Sequence, residues 1–212
     1  MNIKNFHIPI ILISIIIAFI SNYGSFVSLI EPFTFLQFEM ESAKRGFISF
    51  NSFDSTYFTN NEWWRLLTPM FIHFSFAHLA FNCLWIYVLG SKIENVDGHF
   101  NFFTLVIFSS IFSNLLQYTY GGSHLFGGLS GVIYGLLGYC MIIEFESRDY
   151  RYGLEPAIYM FMLVWLVLGF IGILDIFGFG NVANFAHLGG LIAGIIFAMI
   201  AKLFSGIRRK SI

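Results

Sequence analysis

The 212-residue sequence is 57% hydrophobic and only 11% charged, with a formal net charge of −1. A soluble domain carries about twice that charged fraction, so this chain cannot cover its surface with polar groups and its solvent must be largely lipid. The balanced charge gives no basis for a nucleic-acid partner, and the basic block is confined to Arg208, Arg209 and Lys210.

Charged residues are so sparse that they mark the loops. An uncharged stretch runs from Asn5 to Ile30 behind Lys4. About 20 apolar residues cross a bilayer, and no small-x-small cleavage pattern closes the stretch. It reads as a retained first span over 8–30, not a signal peptide. Glu31 to roughly Ser75 becomes a long outer loop, rich in interface-seeking aromatics such as Trp63 and Trp64. The uncharged stretch Leu66 to Ser91 carries a second span over 75–93. Gly98 to Ile143 is too long for one crossing, and Gly121-Gly122-Ser123-His124 divides it into spans 99–119 and 129–144. From Pro156 to Ala201 the only charge is Asp175, beside the turn Gly178-Phe179-Gly180-Asn181, which separates spans 156–176 and 183–204.

The expectation is an all-α membrane protein, a single domain over 1–212 with six transmembrane helices in a compact bundle. With six spans, one side holds Lys4, Lys92, Arg148, Arg151, Lys202, Arg208, Arg209 and Lys210, and the other only Lys44, Arg45 and Arg65. The positive-inside rule makes the first side, with both termini, cytoplasmic. Cys83 and Cys140 fall in apolar stretches without metal-ligand or disulfide-scaffold spacing. Core packing is their expected role.

Polar side chains in hydrocarbon need partners, so those within spans are functional candidates: His73, His78, Asn82, Ser130, Tyr134, Asn184 and His187. The second, fourth and sixth spans all descend from outside, and each carries its polar residues near the outer end. Helix from Ser130 to Glu144 rises about 22 Å at about 1.5 Å per residue, against a hydrocarbon core of about 30 Å. Ser130 is therefore expected to sit submerged, at the bottom of a cavity beneath the Gly121–Leu129 loop. Irregular backbone at that depth must face protein or water.

Gly131 and Gly135, and likewise Gly190 and Gly194, form small-xxx-small pairs that let two helices approach closely. His187 shares a face with Gly190 and Gly194, and Ser130 shares one with Tyr134. Packing of the two glycine faces would bring Ser130 to His187, with Tyr134 against the imidazole. A serine hydroxyl beside a histidine base is an activated nucleophile. No Asp or Glu lies near either residue, so the expectation is a dyad. His78 and Asn82, one turn apart, together with the Ser130 N–H would form an oxyanion hole.

These segments resemble the rhomboid family of intramembrane serine proteases: Gly128-Leu129-Ser130-Gly131 with Tyr134, Ala186-His187-x-x-Gly190-x-x-x-Gly194, His78-x-x-x-Asn82, and Trp64-Arg65 in the outer loop. The resemblance runs from the first span to the sixth. It implies Ser130 as nucleophile, His187 as general base and acid, and His78, Asn82 and the Ser130 amide as the oxyanion hole. It also implies transmembrane protein substrates, unwound near their outer ends and cut after a small residue, with lateral access past the fifth span and the loop Ile176 to Ala183. The chain matches the bacterial six-span form, expected in the cytoplasmic membrane, without the folded cytoplasmic domain that some relatives carry at the N-terminus.

Each residue alone has a plainer reading. Ser130 is a helix N-cap, His187 a core histidine, and His78 with Asn82 an interhelical hydrogen bond. His73 points elsewhere on a helix and reads as loop or interface, Asn184 as capping or steadying the sixth helix rather than reacting, and Arg65 as a holder of the outer loop at headgroup level. A transporter would show inverted repeats, which the sequence lacks. A catalytically inactive rhomboid-like client-binding protein is the alternative, although such relatives typically lack the serine or the histidine. His73 and His78 do not form an HExxH pattern, so neither a metal nor any other cofactor is expected.

Overall fold

The computed structural model describes residues 5–40, 48–122, 125–147, 150–176 and 182–205. Ser123, His124, the turn Gly178 to Asn181 and the cations Lys4, Lys44, Arg45, Arg148, Arg208, Arg209 and Lys210 lie outside the described residues. The long helices are α1 (His7–Ile20), α2 (Phe76–Asp97), α3 (His99–Tyr120), α4 (Ser130–Ser147), α5 (Pro156–Phe170) and α6 (Asn184–Ser205). Three have the length and composition to cross a membrane, over Phe76–Asp97, His99–Tyr120 and Asn184–Leu203. His7–Ile20, Ser130–Phe145 and Pro156–Phe170 are shorter apolar helices.

The first apolar stretch is not one continuous helix, as the 8–30 reading had it. α1 ends at Ile20, and Asn22, Tyr23 and Gly24 all take positive φ, which turns the chain back before a short helical turn at Val27–Ile30. Only glycine enters that region freely, with Asn next. Asn22 and Gly24 were the sequence signals.

Nor is the outer loop wholly helical. Phe38–Met40 (β1) pairs antiparallel with Ile48–Phe50 (β2), placing Phe38 opposite Phe50. This small sheet lies over a cluster of Phe35, Leu36, Tyr57 and Phe126. The Tyr57 hydroxyl donates to the Phe35 carbonyl at 2.7 Å. Because Phe126 belongs to the cluster, the outer loop is tied to the segment that leads into α4.

Arg65 staples the loop from within. It is 2% exposed, and its guanidinium donates to the carboxylates of Glu31 and Glu62 and to the Glu31 and Thr34 carbonyls. Arg65 is thus buried inside the loop it holds, because its charge finds two carboxylates there. Arg65→Met strands both acids, and removing one partner of a buried ion pair costs about 3–5 kcal/mol. The expected result is a clearly lowered unfolding midpoint in detergent. An unchanged midpoint would show that the staple contributes nothing.

α4 is the central helix, with every residue from 131 to 140 buried. Helices in lipid gain no hydrophobic energy from association, so small residues and close backbone contact decide which faces meet. Here a Cβ on Gly190 would overlap the Gly131 carbonyl, and one on Gly194 would overlap the Gly135 carbonyl. On the side facing α3, Ser113 and Ser109 fill the space that side chains at Gly131 and Gly135 would need. Gly194→Leu has nowhere to go but into backbone. Overpacking a tight core costs about 1–3 kcal/mol or more, so this variant should show one of the largest losses of thermal stability, whereas a midpoint near that of the parent would contradict the α4–α6 contact.

The opposite ends of the helices are joined by carboxylates. Glu94 of α2 accepts from the Phe6 N–H and pairs with His7, both at 2.5 Å. Asp97 accepts from Tyr139, Arg151 and Tyr152. Glu144 accepts from the Tyr152 N–H at 2.7 Å and the Tyr159 hydroxyl at 2.6 Å. These ties hold one end of the bundle while the other end carries the site.

Candidate active site

Three helix beginnings converge. Ser75, in extended conformation, caps α2 by accepting the His78 N–H at 3.1 Å, which sets the first turn of that helix. One turn on, Asn82 is 1% exposed, and its Nδ2 has no hydrogen-bond partner among the described residues. Gly128 has φ +122°, and a Cβ there would lie 2.7 Å from His78 Nε2 and 3.4 Å from Asn82 Nδ2. Only glycine lets the chain pass so close to both donors, and two residues later Ser130 opens α4.

His187 lies in the first turn of α6 and is 5% exposed. The preceding Ala186 N–H donates to Gln117 Oε1 at 3.1 Å, fixing this turn to α3. His187 Nε2 stands 2.7 Å from Ser130 Oγ. With the hydroxyl as donor, the imidazole carries its own proton on Nδ1, an atom with no partner among the described residues. The Tyr134 ring stacks on the imidazole, 4.8 Å between centroids and 27° between planes. The Tyr134 hydroxyl donates to the Met162 carbonyl of α5 at 2.9 Å.

Ser130, His187, His78 and Asn82 all line a hollow of about 300 Å³, walled by apolar side chains that include Phe81, Ile133, Met162 and Trp165. Phe81 and Trp165 stack across the α2–α5 boundary at 5.5 Å. The hollow thus brings a hydroxyl, an imidazole and the side chains of His78 and Asn82 to one apolar-walled space.

Asn184 Nδ2 donates across to the Gly169 carbonyl of α5 at 2.9 Å, which steadies the start of α6 against that helix. His73 differs from the sequence reading, which pointed it away from His78. His73 is wholly buried, with its ring 4.9 Å from that of His78. Burial, reinforced by His78, holds His73 far below the ordinary histidine range, at about 3, and therefore neutral. Gln117 also supports the site through its bond to the Ala186 N–H, and an amide in an uncharged span is its sequence signal.

The rhomboid domain model matches residues 60–203. The chain belongs to the rhomboid family. It is 38% identical over 135 residues to a protein of Serratia proteamaculans (strain 568) named Rhomboid protease GlpG, covering 64% of this chain and 47% of that one. A Photorhabdus laumondii protein of the same name is 38% identical over 138 residues, covering 65% and 47%. One from Yersinia pseudotuberculosis serotype I is 36% identical over 135 residues, covering 64% and 47%. The chain thus spans about half the length of the curated relatives it matches. Rhomboid membership and the apolar helices together make this an integral membrane protein.

Proposed function

We propose that this rhomboid-family chain is an intramembrane serine endopeptidase that cleaves transmembrane protein substrates with Ser130 and His187 as its dyad. The observation that carries the reading is the 2.7 Å contact between Ser130 Oγ and His187 Nε2 within the hollow.

His187 Nε2 takes the hydroxyl proton as Ser130 Oγ attacks the scissile carbonyl carbon. Negative charge then develops on the carbonyl oxygen, where His78, Asn82 Nδ2 and the Ser130 N–H act as donors. His187 returns the proton to the leaving amine, which frees the first product and leaves an acyl ester on Ser130. Water, deprotonated by the same imidazole, hydrolyses that ester. Tyr134 restrains the imidazole by stacking, and no carboxylate step is required. Gly128, Gly131, Gly190 and Gly194 act by permitting the close approaches that place these groups.

In this reading the domain covers 1–212, and all six long helices cross the bilayer. α4 is submerged, with Ser130 below the outer face. Both termini are cytoplasmic, in a bacterial cytoplasmic membrane. The substrate is a single membrane-spanning helix that unwinds near its outer end and enters past α5. The relatives' name, Rhomboid protease, supports the same activity. Incubating the purified protein with a panel of single-span substrates, and locating the cut bond by mass spectrometry, tests the assignment. Cleavage at one bond near the outer end of a span is expected, and an uncut panel contradicts it.

A further inference from the structure

His73 takes no part in the chemistry above, yet it is 0% exposed beside His78, with 4.9 Å between the two ring centroids. Both of its ring nitrogens are engaged. Nδ1 lies 3.2 Å from the Phe71 carbonyl. A carbonyl only accepts, so Nδ1 carries the proton and Nε2 is a bare acceptor. Nε2 lies 3.5 Å from the N–H of Leu129, the residue before Ser130. The first N–H groups of a helix have no acceptor within it, and Leu129 is itself fully buried. A buried amide must find a partner in the protein, and the His73 imidazole is positioned to be that partner.

The peptide it holds is one that needs holding. Gly128 sits at φ +122°, where glycine has wide freedom. One anchor is the Gly128 N–H, which donates to the Pro69 carbonyl at 3.0 Å. The Leu129 N–H on His73 is the other. A half rotation of the Gly128–Leu129 peptide would exchange the directions of its N–H and C=O and displace the Ser130 amide that follows. The imidazole of His78 also rests against the ring of His73, so one side chain braces two of the three oxyanion donors.

We propose that His73 is a positioning residue for the oxyanion hole, fixing the Gly128–Leu129 peptide from one ring nitrogen and backing His78 with its ring. The proposal rests on the protease reading of Ser130. Its sequence signature is His73-x-Ser75-x-x-His78, in which one histidine supports the next across the α2 cap.

The test uses the full chain, with kcat and KM measured separately on a cleavable single-span substrate. His73→Leu keeps bulk but removes the acceptor, and kcat should fall about 10- to 100-fold, the cost of small misplacements at a reacting centre, with KM little changed. His73→Gln offers Oε1 to the same N–H and should recover most of that loss, which a merely space-filling role would not produce. A second measurement needs no variant: nitrogen NMR of the parent protein should find His73 protonated on Nδ1 and bare on Nε2. A proton on Nε2 overturns the proposal whether or not His73→Leu folds. An active parent with an unaffected His73→Leu overturns this proposal alone. A parent that cleaves nothing overturns the protease reading and this inference with it.

Discussion

Ser130→Ala should abolish cleavage of a single-span substrate, and His187→Ala should abolish it too. The two groups act as one unit, because the hydroxyl is a weak nucleophile until the imidazole takes its proton. Either loss should therefore cost about 10⁴-fold or more in kcat, and the double variant should be little worse than either single one. Multiplicative losses would mean that the residues act independently. Ser130→Ala removes one oxygen at the edge of a hollow, so its unfolding midpoint should match the parent's. His187→Ala also loses the stack on Tyr134 and should show a modest drop. His187→Gln keeps more volume and separates lost packing from lost base.

Asn82→Ala should slow cleavage sharply without abolishing it. Removing one oxyanion donor from a serine hydrolase costs about 10²–10³ in kcat, and a drop of that size is expected here. The stability readout gives this variant its discriminating power. Asn82 lines the hollow, and its Nδ2 has no protein hydrogen-bond partner among the described residues. Truncation therefore removes no protein hydrogen bond from Nδ2, and the midpoint should hold while the rate collapses. A rate near that of the parent with a lowered midpoint would instead make Asn82 an ordinary packing residue.

What the sequence made legible follows from physics that acts locally. Charges are costly in hydrocarbon, so their absence outlined the apolar stretches that became α2, α3, α5 and α6. Glycines spaced by four declared the α4–α6 contact, because only backbone can fill the place of the missing side chains. The same spacing put His187 on the glycine face and led to its approach to Ser130. Features set by distant partners stayed hidden. The partners of Arg65 are hidden because Glu31 and Glu62, which enclose it, belong to a loop whose path no periodicity reveals. The β1–β2 pairing depends on a cluster that Phe126 completes from far along the chain. α1 stopped early at residues whose left-handed backbone leaves only a faint mark in composition. Helical spacing does not place His73, because it precedes the α2 cap, where Ser75 is extended.

Activation of the Ser130 hydroxyl by His187 within a water-accessible hollow should make that hydroxyl reactive toward a fluorophosphonate. Treating the detergent-solubilised protein with the reagent and mapping the adduct by peptide analysis should give a single adduct on Ser130, absent from both Ser130→Ala and His187→Ala. An unlabelled parent, an adduct on another residue, or labelling that survives the loss of His187 would refute activation of Ser130 by His187.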